Sequence, residues 1–204
     1  SEGLHREGLD LCLAPFGEQV VIARDHSANL FGLCVRKPEA ETVTQALREA
    51  GATVRSLPLN QPYHTPWMDH VLPDLTAFFT RLVNREPGVP VYSCMTAAPH
   101  AVDLAALAAS AAAQWTRPLR FADTIQRLYD DGFRVFVELG ARGSLAASID
   151  GILHHRPHVA LAANRVHRSA IQQLHITLAV LATHRQKVDV AQLHINRGSQ
   201  PLDL

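Results

Sequence analysis

The residues best placed to do chemistry are in Asn60-Gln61-Pro62-Tyr63-His64-Thr65-Pro66-Trp67-Met68. A histidine stands between two prolines, after a strand-like run and before an amphipathic helix. Each proline disfavours the α region for the residue before it, so Gln61 and Thr65 are expected to be extended and His64 to sit on a short, stiff connection. Strand-to-helix junctions are where α/β proteins place reactive groups. An imidazole there is suited to general-base work at neutral pH, since its unperturbed pKa is about 6.5. The competing reading is a solvated loop histidine. A second histidine-rich stretch, His154-His155-Arg156-Pro157-His158, has no acidic or thiol neighbours. It reads as a basic loop between helix and strand rather than a metal site.

The elements that would position His64 follow from periodicity. Residues 1–16 have weak helical character, broken by Gly3, Gly8 and Pro15. Gln19–Arg24 and Leu30–Val35 read as strands, Glu39–Ala50 as a helix with Gly51 past its end, and Thr53–Leu57 as a third strand. This β-β-α-β run fits a small ferredoxin-like unit, incomplete at its start. Beyond His64, apolar residues at helical spacing from Val71 to Leu82 predict a helix over 69–84, with Pro73 in its first turns. Val89–Ser93 reads as a strand, and Asp103 as the cap of an alanine-rich helix ending near Gln114. A helix is predicted over 121–129 and a strand over Phe133–Leu139. The turn Gly140–Ser144 leads into a further helix, followed by a strand at Val159–Leu161 and a last helix over Ile171–Leu181. Strands alternating with helices predict an α/β layer. The domain organisation expected is a small subdomain over 1–60, a larger one over 61–184 and a tail over 185–204.

Composition narrows the partners. The 204 residues carry 19 Lys and Arg against 19 Asp and Glu, a formal charge of zero. No overall field favours nucleic acid or an anionic membrane. No apolar run approaches the roughly 18 residues of a membrane span, and nothing resembles a signal peptide. The 3 cysteines, Cys12, Cys34 and Cys94, form no close pair, which suits a reducing, cytoplasmic setting. The chain opens on Ser1 rather than methionine, as a piece of a longer protein would.

Four stretches in order carry a resemblance: Pro62-Tyr63-His64-Thr65-Pro66, Pro90-Val91-Tyr92-Ser93, Gln114-Trp115-Thr116-Arg117-Pro118-Leu119-Arg120-Phe121 and Phe136-Val137-Glu138-Leu139-Gly140. Together they resemble the later half of the acyltransferase domains of polyketide synthases and of malonyl-CoA:acyl-carrier-protein transacylases, over residues 17–195. The resemblance implies part of a large α/β-hydrolase-like subdomain joined to a ferredoxin-like small one. It implies acyl transfer, with malonyl favoured, in which a serine takes the acyl group from coenzyme A and passes it to phosphopantetheine on an acyl carrier protein. No bound cofactor or metal is implied. The partners implied are the carrier protein and neighbouring synthase domains, with no nucleic acid and no membrane.

By this resemblance His64 is the general base, and Gln114 offers the backbone carbonyl that orients it. Tyr63, whose ring would crowd a branched acyl group, Trp67 and Arg117 are expected at the substrate, with Arg120 as a further candidate phosphate contact. Met68 and Trp115 are expected to pack, and Glu138 to make structural hydrogen bonds at its strand end. The family's Gly-x-Ser-x-Gly nucleophile elbow is not found in this sequence. Its Gly-Pro-Gly is replaced by Gly140-Ala141-Arg142, and the Ser-Gly expected near Cys34-Val35 is missing. Ser144 is the nearest imitation of the nucleophile and maps elsewhere in the fold. Unaided catalysis is therefore not expected. Two rivals stay open: a truncated or degenerate acyltransferase serving as a scaffold, and a small α/β domain that binds a metabolite.

Overall fold

The computed structural model describes residues 3–59, 61–100, 103–195 and 198. The chain is of mixed α/β type and divides into two compact units, residues 1–133 with 151–156, and residues 134–150 with 157–204.

The first unit opens with helix α1 (Arg6–Leu13) and a short 3-10 segment, Ala14–Gln19. Strand β1 (Val20–Ser27) then pairs antiparallel with β2 (Leu30–Val35), and helix α2 (Ala40–Glu49) follows. Cross-strand partners share a face. Val20 and Ile22, opposite Val35 and Leu33, therefore face α1 and α2, where Leu9, Leu13, Val43 and Leu47 close a buried core. The opposite face carries Val21 opposite Cys34 and Arg24 opposite Gly32, with a register shift between Ile22 and Arg24. The sheet's third strand is not the one predicted. Leu119–Arg120 (β5, in chain order) lies parallel to β1, with Arg24 opposite Leu119. Residues 53–57 join no ladder among the described residues, although Val54 packs on the core. Strand-like composition does not make a strand without a neighbouring edge to pair with.

The helix predicted over 69–84 forms in two parts, a 3-10 turn at Pro66–Val71 and α3 (Leu72–Leu82). Its apolar stripe is not buried: Phe78 and Leu82 stay exposed while α3 packs on α4 (Leu104–Ala113). Asp103 caps α4 as predicted, its Oδ2 accepting from the Ala106 N–H at 2.8 Å. The strand predicted at 89–93 shrinks to β3 (Tyr92–Ser93), paired with β4 (Ala98–Pro99). Pro90 cannot donate to a ladder, which works against pairing earlier in the run. Helix α5 (Phe121–Asp130) packs on β1.

In the second unit, β6 (Val135–Ala141) runs parallel to β7 (Val159–Asn164), with α7 (Ala170–Thr183) packed on β7. Gln173 Nε2 donates to the Ala162 carbonyl at 2.7 Å, fixing α7 against the strand. Helix α6 (Ser144–Ile152) follows β6. Among the described residues no helix is long and apolar enough to cross a membrane.

Candidate active site

Four segments of the first unit converge on His64. Thr65 is extended before Pro66 (φ −134°, ψ 157°), as expected, and is fully buried, its hydroxyl donating to the Pro62 carbonyl at 2.7 Å. His64 itself has φ 64°, in the left-handed region that costs a non-glycine residue energy. The 114–120 loop holds it there. The His64 N–H donates to the Trp115 carbonyl at 2.8 Å, and the ring Nδ1 lies 2.7 Å from the Gln114 carbonyl oxygen. A carbonyl can only accept, so Nδ1 carries the hydrogen and Nε2 of the neutral ring keeps its lone pair. Burial pushes the His64 pKa below its ordinary 6.5. The Gln114 carbonyl pulls it up, and the Arg24 guanidinium adds a further downward push. The neutral, proton-accepting form is favoured.

The rings around His64 form a small aromatic wall. Trp115 stacks on His64 with centroids 6.5 Å apart and meets the Tyr63 ring edge-on at 5.7 Å. The indole Nε1 is buried with no hydrogen-bond acceptor among the described residues. The Tyr63 carbonyl faces the Cys34 thiol, Sγ to oxygen 3.9 Å, which brings the β2 face against the turn. Trp67 lies under Arg36, whose guanidinium carbon is 4.1 Å from the ring centroid.

Arg117 is engaged by neighbours. Its Nη1 donates to Asp69 Oδ1 at 2.6 Å and to the Thr116 carbonyl and hydroxyl at 2.8 and 2.9 Å. The pair ties the turn after His64 to the loop that holds the ring, and hydrogen bonds from Arg117 hold the Asp69 carboxyl below its usual range. Arg120 pairs with Asp123 at 2.7 Å.

The structure thus brings Tyr63, His64, Trp67, Gln114 and Arg117 into one neighbourhood. It adds Arg24, Cys34, Arg36 and Asp69, which the sequence does not single out as site residues. Arg24 has no signal of its own, because β1 also carries Asp25, His26 and Ser27 and a charge there marks nothing.

In the second unit Glu138 Oε2 accepts from the Ala146 N–H at 2.9 Å, the structural role expected of it. Ser144 is exposed at the start of α6, where its carbonyl accepts from the Ser148 hydroxyl. His158 faces Asp150, Nε2 to Oδ1 3.1 Å. The described residues hold no group of three His, Cys, Asp or Glu that could bind a metal ion.

No family model matches the sequence. Over 112 residues, 55% of the chain, it is 32% identical to one component of the phenolphthiocerol/phthiocerol polyketide synthase of Mycobacterium tuberculosis, and spans 8% of that protein. Among solved structures, the acyltransferase domain from the second module of the salinomycin polyketide synthase superposes on 98% of the chain. The TM-score is 0.76 and the identity 26%, and the chain covers 48% of that domain. The acyl-carrier-protein S-malonyltransferase of Bartonella henselae matches 88% of the chain and is 56% covered, with a TM-score of 0.73 and 19% identity. The chain therefore has the fold of the acyltransferase domains of polyketide synthases and of acyl-carrier-protein malonyltransferases, over about half the length of those it matches.

Proposed function

We propose that this chain supplies the general-base half of an acyltransferase that moves an acyl group, malonyl in the reading favoured here, from coenzyme A to an acyl carrier protein. The observation that carries the proposal is the 2.7 Å contact between His64 Nδ1 and the Gln114 carbonyl, made by a residue held at positive φ. A half-buried imidazole with one nitrogen committed as donor and the other left basic is what activation of a hydroxyl requires.

The nucleophile in this reading is a serine from a segment outside these 204 residues. His64 Nε2 takes the serine proton as Oγ attacks the thioester carbonyl. The coenzyme A thiolate then leaves and receives that proton from Nε2. In the second half-reaction Nε2 accepts the proton of the phosphopantetheine thiol as its sulfur attacks the acyl-serine. The proton returns to the serine oxygen when the acyl group departs on the arm. The Gln114 carbonyl stabilises the imidazolium in both halves. The Tyr63 ring, packed on Trp115, would crowd a branch at the acyl α-carbon and so favours malonyl over methylmalonyl.

The test is mass analysis of the longer polypeptide that contains this chain, after incubation with malonyl-CoA, methylmalonyl-CoA and acetyl-CoA. The expected product is an acyl-serine outside residues 1–204, formed about 10²–10⁴-fold more slowly in H64Q. Transfer unaffected by H64Q, or an adduct on a serine of this chain, overturns the proposal.

A further inference from the structure

Arg24 is a half-buried cation with no carboxylate or carbonyl hydrogen-bond partner among the described residues. It lies in the middle of β1, on the face turned away from the α1 and α2 core. Its stem runs across Gly32 of β2: a Cβ built at Gly32 would lie 3.3 Å from Arg24 Cβ and 3.5 Å from both Cγ and Cδ. Cys34, two residues along the same face, meets the Tyr63 carbonyl, so this face borders the His64 turn. The guanidinium is within electrostatic reach of His26, Cys34 and His64. The other charges near the turn do not neutralise it. Asp69 is held by Arg117, and Arg36 lies on Trp67 and adds a second cation. A fold seldom keeps a partly desolvated guanidinium unpaired, because its lost hydration is recovered only by an anion.

The geometry points to Arg24 as a substrate-binding residue that takes an anionic group, carboxylate or phosphate, of the molecule presented to His64. This rests on the acyl-transfer reading of the site and deepens it. A guanidinium offers five donors in a planar fork that matches either oxyanion. Two parts of the substrate carry that chemistry: the free carboxylate of a dicarboxylic acyl group, and the phosphates of coenzyme A or of the carrier arm. Gly32 has a matching role, since a Cβ there would crowd the Arg24 Cβ at 3.3 Å and force the stem to shift by a few tenths of an ångström.

The experiment uses the full chain with labelled histidine, the His64 signal being identified with H64Q. Malonate, acetate and inorganic phosphate are titrated separately at ionic strength held constant with chloride. The expected result is a saturable movement of the His64 ring resonances by malonate, by phosphate or by both, with acetate weaker. In R24Q that binding weakens about tenfold or more. R24K retains part of it, and G32A weakens it with the guanidinium still present. Saturation by malonate alone assigns the acyl carboxylate, and saturation by phosphate alone assigns the coenzyme A or arm phosphate. A response to all three anions no different from chloride, or an unchanged response in R24Q and G32A, overturns the inference. Should R24Q fail to fold, the comparison of R24K and G32A with the unaltered chain decides it. The function reading fails separately, through transfer by the longer polypeptide that survives H64Q.

Discussion

The Nδ1 of His64 sits 2.7 Å from the carbonyl oxygen of Gln114, fifty positions along the chain, and the His64 N–H reaches the next carbonyl, that of Trp115. Two adjacent carbonyls therefore grip one residue by its ring and its backbone. This grip offsets the positive φ, and it chooses the tautomer. In nitrogen-15 spectra of the chain, the neutral His64 ring is expected to carry hydrogen on Nδ1 and to titrate below the ordinary 6.5. A ring protonated on Nε2 when neutral, or titrating above 6.5, would contradict this.

The same shift has a stability consequence. The folded chain holds His64 neutral more firmly than the unfolded chain does, so between the lowered folded pKa and 6.5 the unfolded state binds the extra proton. The stability associated with this group is full above pH 6.5 and declines as pH falls below it. In H64Q that part of the decline should vanish from the difference between melts taken on either side of pH 6.5. An unchanged pH dependence in H64Q would place the effect elsewhere.

Asp69 and Arg117 predict a different kind of change. The pair is exposed, and exposed pairs contribute little to global stability. Its position between the turn and the gripping loop should matter locally. Both D69N and R117A are expected to melt within a few degrees of the parent. Both should also broaden or split the His64 ring signals as the Gln114 contact loosens. Sharp, unshifted His64 signals in both variants would show that the pair does not hold the ring.

Trp115 offers a test of packing against polarity. Its indole N–H is buried without an acceptor, a donor whose desolvation is uncompensated among the described residues. W115F removes that donor together with one ring of the indole, so the relieved N–H should offset part of the lost packing and its stability should fall only slightly. W115A loses the ring contacts to Tyr63 and His64 and should be less stable than W115F. A loss in W115F as large as that in W115A would show that removing the buried N–H brings no gain.

The parts of this site that are legible in the sequence are the local ones. The prolines around His64 fix Thr65 as extended, Asp103 marks a helix start, and the apolar run at Val135 marks a strand. The family resemblance points to Gln114 as the partner of His64. No local rule could, because a backbone carbonyl has no side-chain signature. Residues 53–57 have a strand's composition, but pairing is a property of two edges and only one can be read from a segment. Leu119–Arg120 shows the converse: two residues too short to register as a strand take the edge of β1. Arg24 is not legible because alternation along β1 is interrupted by the register shift after Ile22, so its face cannot be counted from Val20.

One face of β6 is left open by the described residues. Phe136 is turned inward, at 9% exposure. Alternation puts Val137 and Leu139 on the other side, exposed by 38% and 85%. Two large apolar side chains one pleat apart on the same strand form a surface that water covers poorly. The chain should bind a hydrophobic dye and associate as concentration rises. L139K, and more fully V137K with L139K, should reduce both without lowering the melting temperature, because neither side chain is buried. F136K should instead unfold its unit, since an unpaired ammonium would replace a core ring. Dye binding that is unchanged in the double variant would move the sticky surface away from β6. A monomer that never associates and binds no dye would show that the face is covered.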